Sequence, residues 1–332
     1  MRVFVFEYVT GGGSMDATMV ASLAGEGDMM LAAAVRDLLE VTGVEVIVMR
    51  DHRLELPDLP IDVHWVTEDW HAAWTACLDA ADAVLPIAPE TDGILERLCR
   101  EARLAGCLLL NSDEHTVALA ASKQRTLQVL GQCGISVVES HRATELPTQI
   151  HRAMVVKPDM GVGCQDIHLV VGDTALREFV AEQPDPDSWL VQPYVEGTAA
   201  SLSLIVGDDC VCLLGANLQR VVQVDDCFVL MGCVVNGVQE RREPLLTLAQ
   251  KIREAMPGLF GYVGVDLVLT GDGPVVLEVN PRLTTSYVGL SRSTGRNIAE
   301  LILQLGTNPS DLPGKYLQGR SVHIDLELGR VA

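Results

Sequence analysis

Lysine is nearly absent from this chain of 332 residues: of 24 basic residues only Lys123, Lys157, Lys251 and Lys315 are lysines. The others are arginines, so each lysine is a candidate for a task that a guanidinium does poorly, such as setting a compact ammonium against a phosphate oxygen. Positive charge is scarce overall, 45 acidic residues against 24 basic ones giving a net charge of −21. There is no basic cluster and no interleaving of aromatic with basic residues, which argues against nucleic acid and anionic membrane as partners. An anionic substrate would need positive charge supplied locally. Paired cysteines are missing too. The nine cysteines are odd in number and scattered, without a CxxC pair, which argues against a disulfide framework or structural zinc and predicts a reducing, cytoplasmic setting. Cys210 and Cys212, on one face of a predicted strand, read as small buried apolar residues. The eight histidines form no ligand pattern. No apolar run approaches ~18 residues. The Met1–Phe6 run stops at Glu7, too short for the apolar region of a signal peptide, and reads as a first strand.

What remains is regular. The length predicts two or three domains with a core that needs nothing external to hold it. Strands at Val3–Tyr8, Val44–Met49, Ala83–Ile87 and Cys107–Leu110 alternate with helices at Asp28–Thr42, Trp70–Ala80 and Pro89–Ala105. That alternation predicts a parallel α/β sheet over residues 1–111. Ser112–Cys133 reads as one helix with Gly134 beyond its end, and Ile135–Glu139 opens a new strand set. Strands at Arg152–Val156, Ile167–Val171 and Trp189–Val191, with a helix over Thr174–Gln183, predict a small α+β unit over residues 112–196. In the remaining unit, residues 197–332, strands dominate, with helices near Pro244–Ala255 and Arg296–Leu305.

This last unit carries the most informative stretch. Thr270-Gly271-Asp272-Gly273-Pro274 is turn chemistry between two apolar runs and predicts a β-hairpin. If the turn centres on Asp272, Leu269 faces Val275, Leu267 faces Leu277 and Asp266 faces Glu278, with Asn280 two residues on and on the same face. Directly opposed carboxylates, their Cβ atoms roughly 5 Å apart, repel each other. A divalent cation would turn that cost into binding. Asp, Glu and Asn are hard oxygen donors that suit Mg²⁺ or Mn²⁺ better than zinc. The alternative is an exposed acidic pair, and a one-residue slip would part the carboxylates.

Other motifs are individually ambiguous. Lys157-Pro158, followed by Gly161 and Gly163, places a lysine at a strand end and a glycine loop after it, either a phosphate cover or a plain turn. The run from Gln192 through Tyr194, Val195 and Glu196 to Gly197 leaves a strand at Pro193, offering an amide, a carbonyl and the Gln192 side chain to an adenine ring, or merely ending the strand. Arg282, just past the acidic residues, has the geometry to hold phosphate or carboxylate. Thr284, Thr285, Ser286 and Tyr287 are four hydroxyls in a row that belong to a solvated loop or bind an amino acid's carboxylate. Gly12 and Gly13 follow the first strand, where an open parallel sheet places ligand loops. They lack the third glycine of a dinucleotide fingerprint, so NAD is not expected. Glu7, at that strand's end, is an amine-binding or solvated acid.

Taken in order, Ser122-Lys123, Lys157-Pro158 with Gly161 and Gly163, Gln192 to Gly197, Asp266, and Glu278-Val279-Asn280-Pro281-Arg282 resemble the ATP-grasp superfamily over nearly the whole chain. The resemblance implies a pre-ATP-grasp domain followed by two α+β subdomains that clamp ATP, the middle one closing as a lid. It implies Lys123 and Lys157 on ATP phosphates, the Gln192 side chain with the Tyr194 and Val195 backbone on adenine, and Glu196 near the ribose. Asp266, Glu278 and Asn280 would hold two Mg²⁺ ions, and Arg282 the transferred phosphoryl group or the acyl phosphate. Ser122 departs from the aspartate that often precedes this lysine. Phe6-Glu7 with its glycine loop, Glu26-Gly27-Asp28-Met29-Met30, Asn217-Leu218-Gln219 and the run Asn280 to Gly289 are similar to the tyramine–glutamate ligases of methanofuran biosynthesis and their methylofuran relatives.

The expected enzyme is thus an ATP-dependent carboxylate–amine ligase. It would phosphorylate the glutamate γ-carboxyl and pass the acyl group to tyramine or tyrosine, with Glu7, Gly12, Gly13, Arg282 and the hydroxyl run around the substrates. A ligase for another acceptor keeps the ATP site and changes these residues, and an ATP-binding sensor keeps binding without turnover. A homodimer is the base-rate expectation.

Overall fold

The computed structural model describes residues 1–14, 21–55, 60–146, 150, 152–161, 163, 166–238, 242–308, 312, 314–326 and 330–331. The first unit runs β1 (Arg2–Glu7), α1 (Ala21–Leu39), β2 (Glu45–Asp51), β3 (Asp62–Val66), α2 (Trp70–Asp79), β4 (Ala83–Ile87), α3 (Ile94–Leu104) and β5 (Leu108–Leu109). All its strands are parallel, in the order β3-β2-β1-β4-β5. Alternation along β1 explains the layers: Val3 and Val5 pack with Leu31, Val35 and Leu38 of α1, while Phe4 and Phe6 pack with Trp74 of α2 and Leu95 and Leu98 of α3. From β1 the chain turns to β2 on one side, and β4 pairs on the other. The loops beyond β1 and β4 therefore diverge, leaving a crevice at the carboxyl ends of the strands.

A second, antiparallel sheet spans the rest. After α4 (Glu114–Ala121) and α5 (Lys123–Gln132) come β6 (His141–Arg142), β7 (Ala153–Pro158), β8 (His168–Val171), α6 (Asp173–Ala181) and β9 (Trp189–Pro193). Then follow β10 (Thr198–Val206), β11 (Val211–Val224), β12 (Cys227–Val235), α7 (Arg242–Ala255), β13 (Gly261–Leu269), β14 (Pro274–Asn280), α8 (Tyr287–Thr294), α9 (Ile298–Thr307), β15 (Val322–Asp325) and β16 (Arg330–Val331). The order is β14-β13-β10-β11-β12-β8-β7-β9-β6, with β15 on β12 and β16 on β15. The middle unit has its own small core of Met154, Val156, Val170, Leu176 and Val191. Among the described residues it joins the larger sheet at one ladder pair, His168 of β8 with Cys227 of β12, flanked by the bonds from Leu169 N to the Asp226 carbonyl and from Phe228 N to the Ile167 carbonyl. A small core on so narrow a junction suits a lobe that moves as a body. Among the described residues no helix is long and apolar enough to cross a membrane.

Several elements differ from expectation: α1 begins at Ala21 rather than Asp28, and the short strands β6, β15 and β16 were not foreseen. The strand β3 went unforeseen because it is an edge strand whose only buried residue is Val66. The expected strand at 135–139 is extended chain bridged to the sheet only at Val137 and Val276. The expected single helix over 112–133 breaks at Ser122, whose hydroxyl accepts from Arg125 N and caps α5. The hydroxyl run, expected as loop, leads directly into α8 at Tyr287.

Candidate active site

The β13–β14 hairpin brings Asp266 opposite Glu278, though by another register than the turn implied. Leu269 pairs with Pro274, Val268 with Val275 and Leu267 with Val276, one position short of the expected pairing. A bulge at Leu277 then restores the offset, so that Asp266 pairs with Glu278 and Gly264 with Asn280. Without it, Asp266 would face an apolar side chain. Bulges re-aim side chains in this way.

Around the pair, Gln219 Nε2 donates to Asp266 Oδ1 at 2.7 Å and Asn280 Nδ2 to Asp266 Oδ2 at 3.2 Å. Lys123 Nζ lies 3.5 Å from Glu278 Oε2 and donates to the Gly161 carbonyl at 2.7 Å. A lysine at the first position of a helix adds to the positive end of the helix dipole, so it gains nothing from the helix itself. Asp159 fixes it in place: its carboxylate accepts from Ser122 Oγ at 2.8 Å and Gln124 N at 2.9 Å, and pairs with Arg142 at 2.9 Å. A carboxylate 37 residues downstream thus supplies the helix N-terminus beside Ser122.

Burial first, and the Glu278 charge second, push the Asp266 carboxyl above the usual range. Burial opposes ionisation of Glu278 as well, but the Lys123 and Lys157 ammoniums, the hydrogen bond to Asp266 and Arg282 hold it below that range. The two carboxyls therefore share a proton where a cation would sit. Three oxygen donors at one point, two of them carboxylates that repel without a shared positive charge, fit Mg²⁺ once the Asn280 amide turns its oxygen inward. Because Asp266 is raised, its stabilising contribution is full below its unfolded value of about 3.9 and is lost as pH rises through the raised value. Metal binding runs the other way. Affinity for Mn²⁺ or Mg²⁺ should tighten by up to about tenfold per pH unit over that interval, with proton release seen calorimetrically in buffers of different ionisation heat. Affinity independent of pH, with no proton released, would sink the shared-proton arrangement.

A cleft of about 990 Å³ opens beside this pair, walled by Lys123, Lys157, Gly161, Gly163, Asp266 and Glu278 at one end. Gln192, Tyr194 and Val195 stand at the other end, and its sides are apolar, among them Val155, Ile167, Val221 and Leu277. Gln192 is buried and donates to Ser140 Oγ at 3.2 Å. The Tyr194 ring stacks on Phe228, with centroids 6.2 Å apart. The Tyr194 amide donates to the Ala153 carbonyl at 3.0 Å, so of the Tyr194 backbone strand pairing takes the N–H. Glu196 is exposed and does not line this cleft.

A second cavity, of about 570 Å³, meets the first at Gly163 and lies in the crevice of the parallel sheet. Glu7, Glu26, Met30, Ile87, Pro89 and Arg282 line it. Arg282 Nε is 3.1 Å from Glu90 Oε2; Glu90 is buried and Arg282 largely so. Only Thr285 of the hydroxyl run reaches this region, donating to Glu26. Thr284 and Ser286 instead bond the Tyr262 hydroxyl at 2.9 and 3.2 Å, and the Tyr287 hydroxyl donates to Asp37 at 3.1 Å. Gly12, at φ 98°, packs against Val66, and Gly13 against the Tyr8 ring, so both shape the turn after β1.

Sequence reasoning missed Gln219, Asp159, Glu26 and Glu90 as site residues. Glu26 and Gln219 lay within the family-like motifs; Asp159 and Glu90 had no local signal. The structure also gathers His168, Asp226 and Cys227, with ligand atoms within 4.8 Å of one another, although the histidines and cysteines show no ligand spacing in sequence. This cluster stands on the β8–β12 junction, with Asp226 exposed.

Two α+β lobes closing over a cleft with lysines at one end, an acidic pair beside them and an apolar slot at the other define a nucleotide-clamping fold. Sequence profiles agree, the ATP-grasp domain matching residues 120–286 and the pre-ATP-grasp domain residues 44–117, and the chain belongs to the ATP-grasp family. It is similar to the tyramine–L-glutamate ligase of Methanocaldococcus jannaschii, 25% identical over 312 residues that cover 92% of this chain and 89% of that protein. The crystal structure of an ATP-grasp superfamily protein from Archaeoglobus fulgidus matches with a TM-score of 0.73 and 26% identity, covering 98% of this chain and 92% of that one. The biotin carboxylase domain of Hydrogenobacter thermophilus 2-oxoglutarate carboxylase, crystallised with MgADP, matches with a TM-score of 0.72 at 13% identity, covering 97% and 73%.

Proposed function

We propose that this ATP-dependent carboxylate–amine ligase joins the γ-carboxyl of glutamate to an aromatic amine, tyramine or tyrosine, in methanofuran- or methylofuran-type cofactor assembly. The observation that carries it is the junction of the two cavities: a phosphate-directed end with Lys123, Lys157 and the Asp266–Glu278 pair opens past Gly163 and Arg282 into an acidic, apolar-sided pocket. The likeness to a tyramine–glutamate ligase over most of both chains supports it.

In this reading the units divide at residues 111 and 196. The apolar slot takes adenine, with Gln192, the Tyr194 carbonyl and the Val195 amide at its edge, and Gly161 and Gly163 cover the phosphates. Lys123 and Lys157 neutralise charge on the transferring phosphoryl oxygens, which is the main work of such a transfer. Arg282 holds the glutamate carboxylate at the point of transfer. Asp266, Glu278 and Asn280 would hold Mg²⁺, which screens the phosphate charge when bound. Closure of the middle lobe excludes water, protecting the acyl phosphate from hydrolysis. The eight described cysteines are free thiols, which supports a reducing compartment.

With ATP and Mg²⁺, glutamate plus tyramine or tyrosine should release ADP at least about tenfold faster than either component alone, because the acyl phosphate needs its acceptor to turn over. A coupled ADP assay over a panel of amines with glutamate fixed tests this. Equal rates with every amine would reject the aromatic acceptor, and tight ATP binding without turnover would reject the ligase.

A further inference from the structure

The second cavity holds two acidic side chains whose positions assign them different work. Glu7 ends β1 at the crevice between β1 and β4, where an open parallel sheet receives its ligand. It is 4% exposed, and its carboxylate accepts from Val9 N at 3.2 Å, Thr10 N at 2.7 Å and Thr10 Oγ1 at 2.7 Å. A carboxylate has about four acceptor positions, so one remains toward the cavity. Helix α1 crosses at a glycine: a Cβ on Gly27 would come within 2.6 Å of the Glu7 carboxyl. The adjacent Glu26 lines the same space and is held by Thr285.

Arg282, the one basic residue among the described residues lining this cavity, is already engaged with Glu90, while Val9, Met30, Ile87 and Pro89 give the space an apolar side. The occupant that fits is a primary ammonium on an apolar body. We propose, resting on the ligase reading above, that Glu26 is the counter-charge that draws this ammonium in and that Glu7 is the base that takes its proton. Glu7 accepts one proton from the ammonium; the freed lone pair attacks the acyl carbon, and a C–N bond forms. The C–O bond to phosphate breaks with its electron pair, and the surplus proton on nitrogen leaves with the phosphate. Amide and hydrogen phosphate result.

Burial raises the Glu7 carboxyl to about 7, opposed by its bonds from Thr10 and Val9 and reinforced slightly by Asp28. That places it where a base for neutral-pH work belongs. Among the described residues, the other charged side chains lining this space are Glu26 on α1 and Arg282 after β14, the latter paired with Glu90; Asp28 is itself paired with Arg50 of β2.

Hydroxylamine supplies the test, because it is uncharged at neutral pH and needs neither a base nor a counter-charge. Glu7→Gln is expected to cut tyramine ligation by about 10²-fold or more while γ-glutamyl hydroxamate formation stays within roughly threefold of wild type. Glu26→Gln should raise KM for tyramine about tenfold at nearly constant kcat. The wild-type pH profile needs no variant: kcat/KM for tyramine should level off above about 7, where a reaction of the free amine alone would keep rising. Equal loss with both acceptors in Glu7→Gln overturns the assignment by reducing Glu7 to a brace for the Val9–Thr10 turn, and so does loss with neither or a rate that climbs through pH 7. Wild-type protein that makes no hydroxamate from glutamate and ATP overturns the ligase reading itself.

Discussion

Glu278→Gln is expected to lower glutamate-dependent ADP release by about 10³-fold or more, since under the proposed function it removes a charge aimed at the phosphoryl-transfer site. The fold should survive it. Glutamine has the same shape, and its amide can donate to Asp266 where the shared proton now sits, so no buried acceptor is orphaned. Lys123, 3.5 Å from Glu278, keeps its bond to the Gly161 carbonyl at 2.7 Å. Circular dichroism and thermal melting should therefore match wild type, while Mn²⁺ affinity and ADP release fall together. Full activity at saturating Mg²⁺ would remove the metal role from this hairpin.

Arg282→Ala should cost both stability and activity. Its guanidinium pairs with Glu90, and the two side chains are 13% and 8% exposed. Deleting one member of a buried ion pair leaves the other charge uncompensated, at a cost of about 3–5 kcal/mol. Adding Glu90→Gln removes the stranded charge and should recover most of that stability. It should not recover activity, which we expect to stay down about 10³-fold, because in the proposed mechanism nothing then holds the glutamate carboxylate at the point of transfer. This double-mutant cycle separates the two roles. Recovery of both by the double variant would make Arg282 a purely structural residue.

The legible parts of the chain are those where a local pattern meets one face of the fold. Strand β4 falls at Ala83–Ile87 as expected because its apolar run is buried throughout, and α2 starts after Asp69, whose side chain accepts from His71 N and Ala72 N. The ATP-grasp order of motifs was legible as well, since each needs a particular residue type at a particular strand or helix end. Asp266 opposite Glu278 was foreseen, but the expected pairing of Leu267 with Leu277 was not realised, because register is set by turn and bulge together and no residue in the stretch marks the bulge. Thr284, Ser286 and Tyr287 were legible only as a solvated loop or a carboxylate-binding run, because sequence does not show that their hydroxyls bond to Tyr262 and Asp37 in the interior.

By itself, then, the sequence determined much of the succession of elements, the charge, and the oxygen-donor chemistry of the hairpin, all of which are written in residue type and short spacing. Tertiary structure alone decided which distant groups meet. Asp159 reaches Ser122 across 37 residues and Arg282 reaches Glu90 across 192. Glu7 and Glu26 line one cavity because α1 passes the Glu7 carboxyl at Gly27, where a side chain would collide with it. Such meetings are made by packing one layer on another, and the energies that fix them belong to contacts no single segment contains.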